Sequence, residues 1–218
     1  MRILFVHQNF PGQYLHIVQR LAETGNHQLL ALGINGLDTS RLSSESIQHF
    51  RYRLDRGNTK GIHPLVMETE TKIIRAEGCA RAAEQLKKKG FKPDLICVHP
   101  GWGEALFLKA IWPDSPMLCY QEFFYNEYGF DSNFDPEFQE DRSWQIQAKL
   151  TMKNAYLLLT LEQADWNITP THFQASSFPG HWQSSISVIH DGVDTRRAAP
   201  VANPEPLTLP DGTVLEKG

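Results

Sequence analysis

The sequence has no excess of positive charge. Its 21 Lys and Arg face 25 Asp and Glu, a formal charge of −4, and no basic stripe is interleaved with aromatic residues. A nucleic-acid partner is therefore not expected. Long apolar runs are missing as well, and the chain enters its first strand without a basic region or a small-residue cleavage site. Neither a membrane span nor an export signal is expected, and the cytoplasm is the default location. Cysteine is scarce: Cys79, Cys97 and Cys119 are odd in number and far apart, which reads as reduced core thiols rather than a disulfide framework. Several chemical signatures are also missing. There is no P-loop, no complete G-x-G-x-x-G, no H-E-x-x-H or C-x-x-C, and no G-x-S-x-G. These absences disfavour phosphate-loop hydrolases, Rossmann dehydrogenases, zinc sites and Ser or Cys nucleophiles. The nine histidines read as structural or surface residues, and no metal ligands are expected.

What is present is an α/β alternation. Ile3 to Val6 is a short, continuous apolar run ended by His7, Gln8 and Asn9, as expected of a strand buried on both faces. Phe10, Pro11 and Gly12 break it. Tyr14, Ile17, Val18, Leu21 and Ala22 then repeat at the spacing of one helical face, and Gly25 closes the helix. A second strand is expected at Gln28 to Leu32, a third at Phe50 to Leu54, and a long helix from Pro64 to Lys89 with Ile73, Ala76, Ala80 and Ala83 on one face. Further strands are expected at Leu95 to Val98, Pro116 to Tyr120, Asp165 to Ile168 and Ile186 to Ile189. Helices are expected at Ala105 to Trp112 and Ser143 to Glu162. This order predicts an α/β, doubly wound parallel sheet of Rossmann-like kind. At 218 residues the chain suits one domain with a short appendage. After Asp194 the texture changes: Pro200, Pro204, Pro206 and Pro210 mark a linker, and Leu207 to Leu215 has a hairpin pattern. The polar stretch with Ser40, Ser43, Ser44 and Ser46, and the loop Asn126 to Asp141 with six carboxylates, lack a clear period. The latter reads most simply as a solvated surface.

Two turns at the carboxyl ends of strands stand out, because open α/β sheets bind ligands at that edge. In Pro11-Gly12-Gln13, Gly12 either permits a tight turn or lets a ligand approach N–H groups at a helix N-terminus. The turn His99-Pro100-Gly101-Trp102-Gly103-Glu104 sets a His and a Trp among glycines, where large side chains have no packing duty the next helix could not meet. The sequon Asn167-Ile168-Thr169 falls in an expected strand and is discounted.

These residues resemble the N-terminal domain of glycosyltransferase family 4 enzymes. The likeness rests on His99 to Glu104, on Val188-Ile189-His190-Asp191-Gly192-Val193-Asp194-Thr195, and in order on the Gly12 turn, Tyr120 to Tyr125, Phe134 to Phe138 and Thr169 to Thr171. The resemblance implies one half of a GT-B fold over residues 1–195, with residues 196–218 a linker and the start of a C-terminal domain that the chain does not include. It also implies a retaining transferase that needs no metal. By the same likeness the nucleotide-sugar donor binds mainly to the other domain, and a glycan or lipid-linked acceptor binds here, in the cytoplasm or at the inner face of the membrane. His99 would be catalytic. Gly12, Gln13, Gly101, Trp102, Gly103 and Glu122 would line the acceptor side, and Asp191 and Gly192 would mark the crossing toward the second domain. A non-enzymatic α/β binding or interaction domain and a flavodoxin-like cofactor domain are the alternatives, the latter lacking a phosphate-cradling loop.

Overall fold

The computed structural model describes residues 1–37, 40, 42, 45, 47–138, 143–202 and 204–216. Seven strands form one sheet: β1 (Arg2–Val6), β2 (Gln28–Gly33), β3 (Gln48–Arg51), β4 (Leu95–Val98), β5 (Met117–Tyr120), β6 (Trp166–Thr169) and β7 (Ile186–Val188). Their order is 3-2-1-4-5-6-7 and every pairing is parallel. The strands β1, β2, β4 and β5 are short, mainly apolar runs because both faces are covered, while β3, β6 and β7 carry polar residues. Leu4, Val6, Leu30, Leu32, Ile96 and Val98 pack with Cys79, Ala83 and Leu86 of α2 (Pro64–Lys88) on one face. Ile3, Phe5, Leu29 and Ala31 pack with Tyr14 and with Val18 of α1 (Leu15–Thr24) on the other. This is the doubly wound Rossmann-like fold expected from the alternation. Its order reverses between β1 and β4, which leaves a crevice at the carboxyl ends of those two strands.

Local differences from the expected elements have physical causes. Residues Gly12–Tyr14 form a 3-10 turn before α1, and Ile17 is 52% exposed rather than on the core face, which Val18 occupies. In α2, Ile73 is likewise exposed, while Ala76, Gly78, Cys79 and Ala83 are buried. A Cβ on Gly78 would lie 2.8 Å from the Arg53 carbonyl oxygen, so the glycine lets the chain leaving β3 cross the helix closely. That crossing ends β3 at Arg51, short of the expected Leu54. The segment after β4 is a 3-10 helix (Glu104–Phe107) followed by the single-turn α3 (Leu108–Ile111), not one continuous helix. Ser143 caps α4 (Trp144–Gln163), its Oγ accepting from the Ile146 N–H, and Thr171 caps α5 (His172–Ser177) in the same way. The short α6 (Gly180–Gln183) precedes β7.

Cys79, Cys97 and Cys119 are free and buried. Asn167 of the discounted sequon is buried in β6 and accepts a hydrogen bond from Gln121. In the acidic loop, Glu127 accepts from Tyr128 and Gln147, and Asp131 and Asp135 accept from backbone N–H groups. Glu140 and Asp141 lie outside the described residues, as do Ser43, Ser44 and Ser46. The hairpin β8 (Leu207–Thr208) and β9 (Val214–Leu215) pairs antiparallel at the far end of the chain, with all four residues exposed. No helix among the described residues is long and apolar enough to cross a membrane.

Candidate active site at the switch point of the sheet

The crevice between β1 and β4 is floored by two histidines that end their strands, His7 after Val6 and His99 after Val98. Their rings lie 5.4 Å apart. Each is held by the same device. The His7 Nδ1 accepts from the Asn9 N–H at 3.0 Å, and the His99 Nδ1 accepts from the Gly101 N–H at 3.1 Å. A glycine lies against each ring: a Cβ on Gly12 would sit 2.3 Å from His7 Cε1, and one on Gly101 would sit 2.6 Å from His99 Cε1. Gly12 also has φ +48°, so both its position and its backbone require the absence of a side chain. With Nδ1 occupied as an acceptor, the neutral form of either ring carries its proton on Nε2.

The sequence reading missed His7, although the repeat of apolar strand, His, then Pro-Gly was visible at both turns. Burial, with the nearby His99 second, lowers the His7 pKa to about 4, so His7 is neutral at neutral pH. Its Nε2–H donates to Gln13 Oε1 at 2.8 Å. Trp102 meets the His7 ring edge-on at 4.8 Å and lies over the His99 ring at 4.4 Å.

His99 is only 2% exposed. It sits at the carboxyl edge as expected, but enclosed: Trp102 covers it and the ring of Tyr120, at the end of β5, stacks 5.6 Å away. Its Nε2 lies 3.3 Å from Glu122 Oε2, and among the described residues that buried nitrogen meets no other polar partner. The half-exposed Glu122 carboxylate is held below its usual range, chiefly by His99. The Tyr120 hydroxyl donates to Asp191 Oδ2 at 3.0 Å, so His99, Tyr120 and Asp191 form one row across the edge of the sheet.

The remaining expected site residues divide. Gly12, Gln13 and Trp102 line a pocket of about 450 Å³ with His7, Asn9, Asn35 and Gly36. Gly192, with φ +86°, lines a separate cavity of about 880 Å³ between α1 and the chain after β7, together with Leu15, His16, Asp194 and Arg197. Gly101 and Gly103 serve the turn. The Gly101 carbonyl accepts from Lys72 Nζ at 2.7 Å and from the Tyr156 hydroxyl at 3.0 Å. Gly103, at φ +103°, abuts the backbone of Lys72, where a Cβ would come within 2.5 Å of its carbonyl oxygen. Glu104 is 1% exposed and accepts from the Tyr52 hydroxyl at 2.5 Å; burial raises its pKa. Helices α2 and α4 thus hold the 99–104 turn from behind. Among the described residues, no group of three or more His, Cys, Asp or Glu side chains is placed to hold a metal ion.

This arrangement offers an N–H donor at His99, an ionised carboxylate at Glu122 and an aromatic wall at Trp102, all at a ligand-binding edge. Such a set can orient hydroxyl groups and stabilise charge developing on oxygen.

Known structures share this architecture at low sequence identity. Os79 from O. sativa aligns with a TM-score of 0.53 and 9% identity over 86% of this chain and 51% of its own. A UDP-glucosyltransferase from Polygonum tinctorium gives 0.51 and 10% over 94% and 55%, and HepE from Anabaena gives 0.50 and 17% over 90% and 46%. The chain thus has the fold of part of each of these proteins and spans about half their length. No curated protein sequence matches it significantly. The model of the glycosyl transferase family 4 group, however, matches residues 25–198, which include β2 to β7 and the whole 99–104 turn, and the chain belongs to that family.

Proposed function

We propose that this chain is the acceptor-side domain of a retaining glycosyltransferase that moves a hexosyl group from a nucleotide-sugar to a glycan or lipid-linked acceptor. Residues 1–195 form that domain, and residues 196–218 lead into a second domain that carries most of the nucleotide-sugar site. The observation that carries the reading is the His99–Glu122 contact beneath Trp102, at the crevice where the strand order reverses. In this reading the His99 Nε2–H, whose polar neighbour is Glu122, turns to a substrate oxygen when substrate enters the crevice. Glu122 orients and polarises that imidazole, and His99 donates to a hydroxyl of the transferring sugar or to oxygen that gains charge as the bond to the leaving group breaks. No metal takes part in this scheme. In this reading Asp191, held by the Tyr120 hydroxyl, marks the crossing toward the second domain. The setting we propose is polysaccharide assembly in the cytoplasm, at the inner face of the membrane. HepE is described in complex with UDP and glucose, which makes UDP-glucose the first donor to try.

The test compares the 218-residue chain with a longer polypeptide that includes a second domain, using UDP-glucose and other nucleotide-sugars with a panel of glycan acceptors. The longer protein should transfer sugar with retention at the anomeric carbon, and the 218-residue chain should not, because one wall of a cleft cannot supply the proximity that transfer needs. In the longer protein, His99→Gln should lower turnover about a hundredfold at a temperature where the variant is still folded by its amide spectrum. Transfer by the short chain alone, or normal turnover by His99→Gln, would sink the reading.

A further inference from the structure

The pocket beside the His7 ring has a polar lining whose orientation can be worked out atom by atom. Because the His7 Nδ1 accepts from the Asn9 N–H, the ring proton is on Nε2 and donates to Gln13 Oε1. Gln13 therefore cannot flip without placing an N–H against an N–H, and its NH2 group is what it offers the pocket. Across the pocket, Asn35 Nδ2 donates to Asn9 Oδ1. That bond leaves the Asn9 NH2 as a donor and the Asn35 carbonyl as an acceptor. Two donors and one acceptor thus line the same cavity of about 450 Å³ as Trp102, whose ring is wedged against both histidines. The volume lies within the ~300–1,000 Å³ range of small-molecule sites.

We propose that this pocket is a subsite for a pyranose ring, in which Trp102 stacks on the sugar, the Gln13 and Asn9 amides and the Asn35 carbonyl hydrogen-bond its hydroxyls, and His7 is the positioning residue that fixes Gln13. The inference rests on reading this edge of the sheet as the acceptor side of a transferase. Amides suit the task because a hydroxyl both donates and accepts, and a neutral donor–acceptor set satisfies it without desolvating a charge. Burial keeps His7 neutral, so its Nε2 holds one proton and the Gln13 amide one orientation through the neutral pH range.

The experiment is a titration of the isotopically labelled 218-residue chain with methyl α-glucopyranoside, methyl α-galactopyranoside and, separately, inorganic pyrophosphate. One or both glycosides should shift the Trp102 indole and the Gln13 side-chain amide resonances, and pyrophosphate should leave them in place. Ring nitrogen shifts should show His7 as the Nε2–H tautomer. Gln13→Leu should weaken glycoside binding about tenfold, the scale of one hydrogen bond. His7→Phe, which keeps the ring but not the donor, should weaken it comparably while leaving the fold intact by its amide spectrum. If His7→Phe fails to fold, the tautomer measurement on the parent decides the positioning role: an Nδ1–H ring overturns it. The subsite is overturned if pyrophosphate shifts these resonances and the glycosides do not, or if neither does. Sugar transfer by the longer protein alongside pyrophosphate binding here would overturn this inference alone. Glycoside binding here without any transfer would support it and count against the transferase.

Discussion

His7 and His99 occupy equivalent places at the ends of adjacent strands, yet their surroundings give them different work. His7 is surrounded by groups that want it neutral. Burial is the largest, the neighbouring His99 is second, and the opposing pulls of Gln13, Asn9 and Glu122 are smaller. The consequence for stability has a definite sign. The folded-state pKa of about 4 lies below the ordinary 6.5, so as the pH falls the unfolded chain takes up the proton first. The contribution of His7 is fully present above about pH 6.5, declines between pH 6.5 and 4, and is absent below. Its size is at most about 3 kcal/mol. Urea unfolding from pH 7 to pH 4 should show this loss in the parent and a flatter profile in His7→Gln. Identical slopes in the two proteins would reject the assignment.

At the scale of elements, the 99–104 turn is rigid because helices and strands from distant parts of the chain grip it. Lys72 in α2 and Tyr156 in α4 both donate to the Gly101 carbonyl, and Tyr52, just after β3, donates to the buried Glu104. Among the described residues the second carboxyl oxygen of Glu104 has no hydrogen-bond partner, so the Tyr52 hydroxyl is a large part of what makes that burial tolerable. Tyr52→Phe should destabilise the chain by about 1–3 kcal/mol, the usual effect of leaving a buried acceptor without its donor. Adding Glu104→Leu to that variant should cost less than making it in the parent. Purely additive effects in a double-mutant cycle, to within ~0.5 kcal/mol, would show that the two side chains do not act as a pair.

For the whole molecule, the contrast between the sheet and the terminal hairpin sets the expected distribution of stability. Strand β1 lies between two parallel partners and is covered on both faces, whereas β8 and β9 pair only with each other through two residues apiece. A two-stranded piece of that size buries too little to hold itself in place. Hydrogen exchange should find the amides of Ile3 to Val6 protected to near the global unfolding free energy and those of Leu207 to Leu215 exchanging rapidly. Equal protection would mean that the hairpin is held by more than its own pairing.

Much of this was legible in the residues. Short apolar runs bounded by polar turns marked β1, β2, β4 and β5, because a doubly covered parallel strand tolerates few polar side chains, whereas the third strand, expected at Phe50 to Leu54, lies at Gln48–Arg51, a polar strand at the edge of the sheet. The Pro-Gly turns mark the carboxyl edge, where His7, Gln13, His99 and Trp102 come together. The phase of helices was less visible: a 3-10 turn at Gly12–Tyr14 left Ile17 exposed, a local choice that apolar spacing does not encode. The strand order decided the rest. Only when β1 and β4 pair, from segments some ninety residues apart, does His7 come to face His99 across Trp102. Only then does the Gly101 carbonyl meet Lys72 and the Gly103 backbone abut α2. Local apolar runs and turn residues were enough to place most of the strands and their carboxyl ends, since those follow from local burial and turn chemistry. Which of those ends meet, that His7 is neutral and which way the Gln13 amide points depend on tertiary structure, because pKa and hydrogen-bond orientation follow from neighbours brought from elsewhere in the chain.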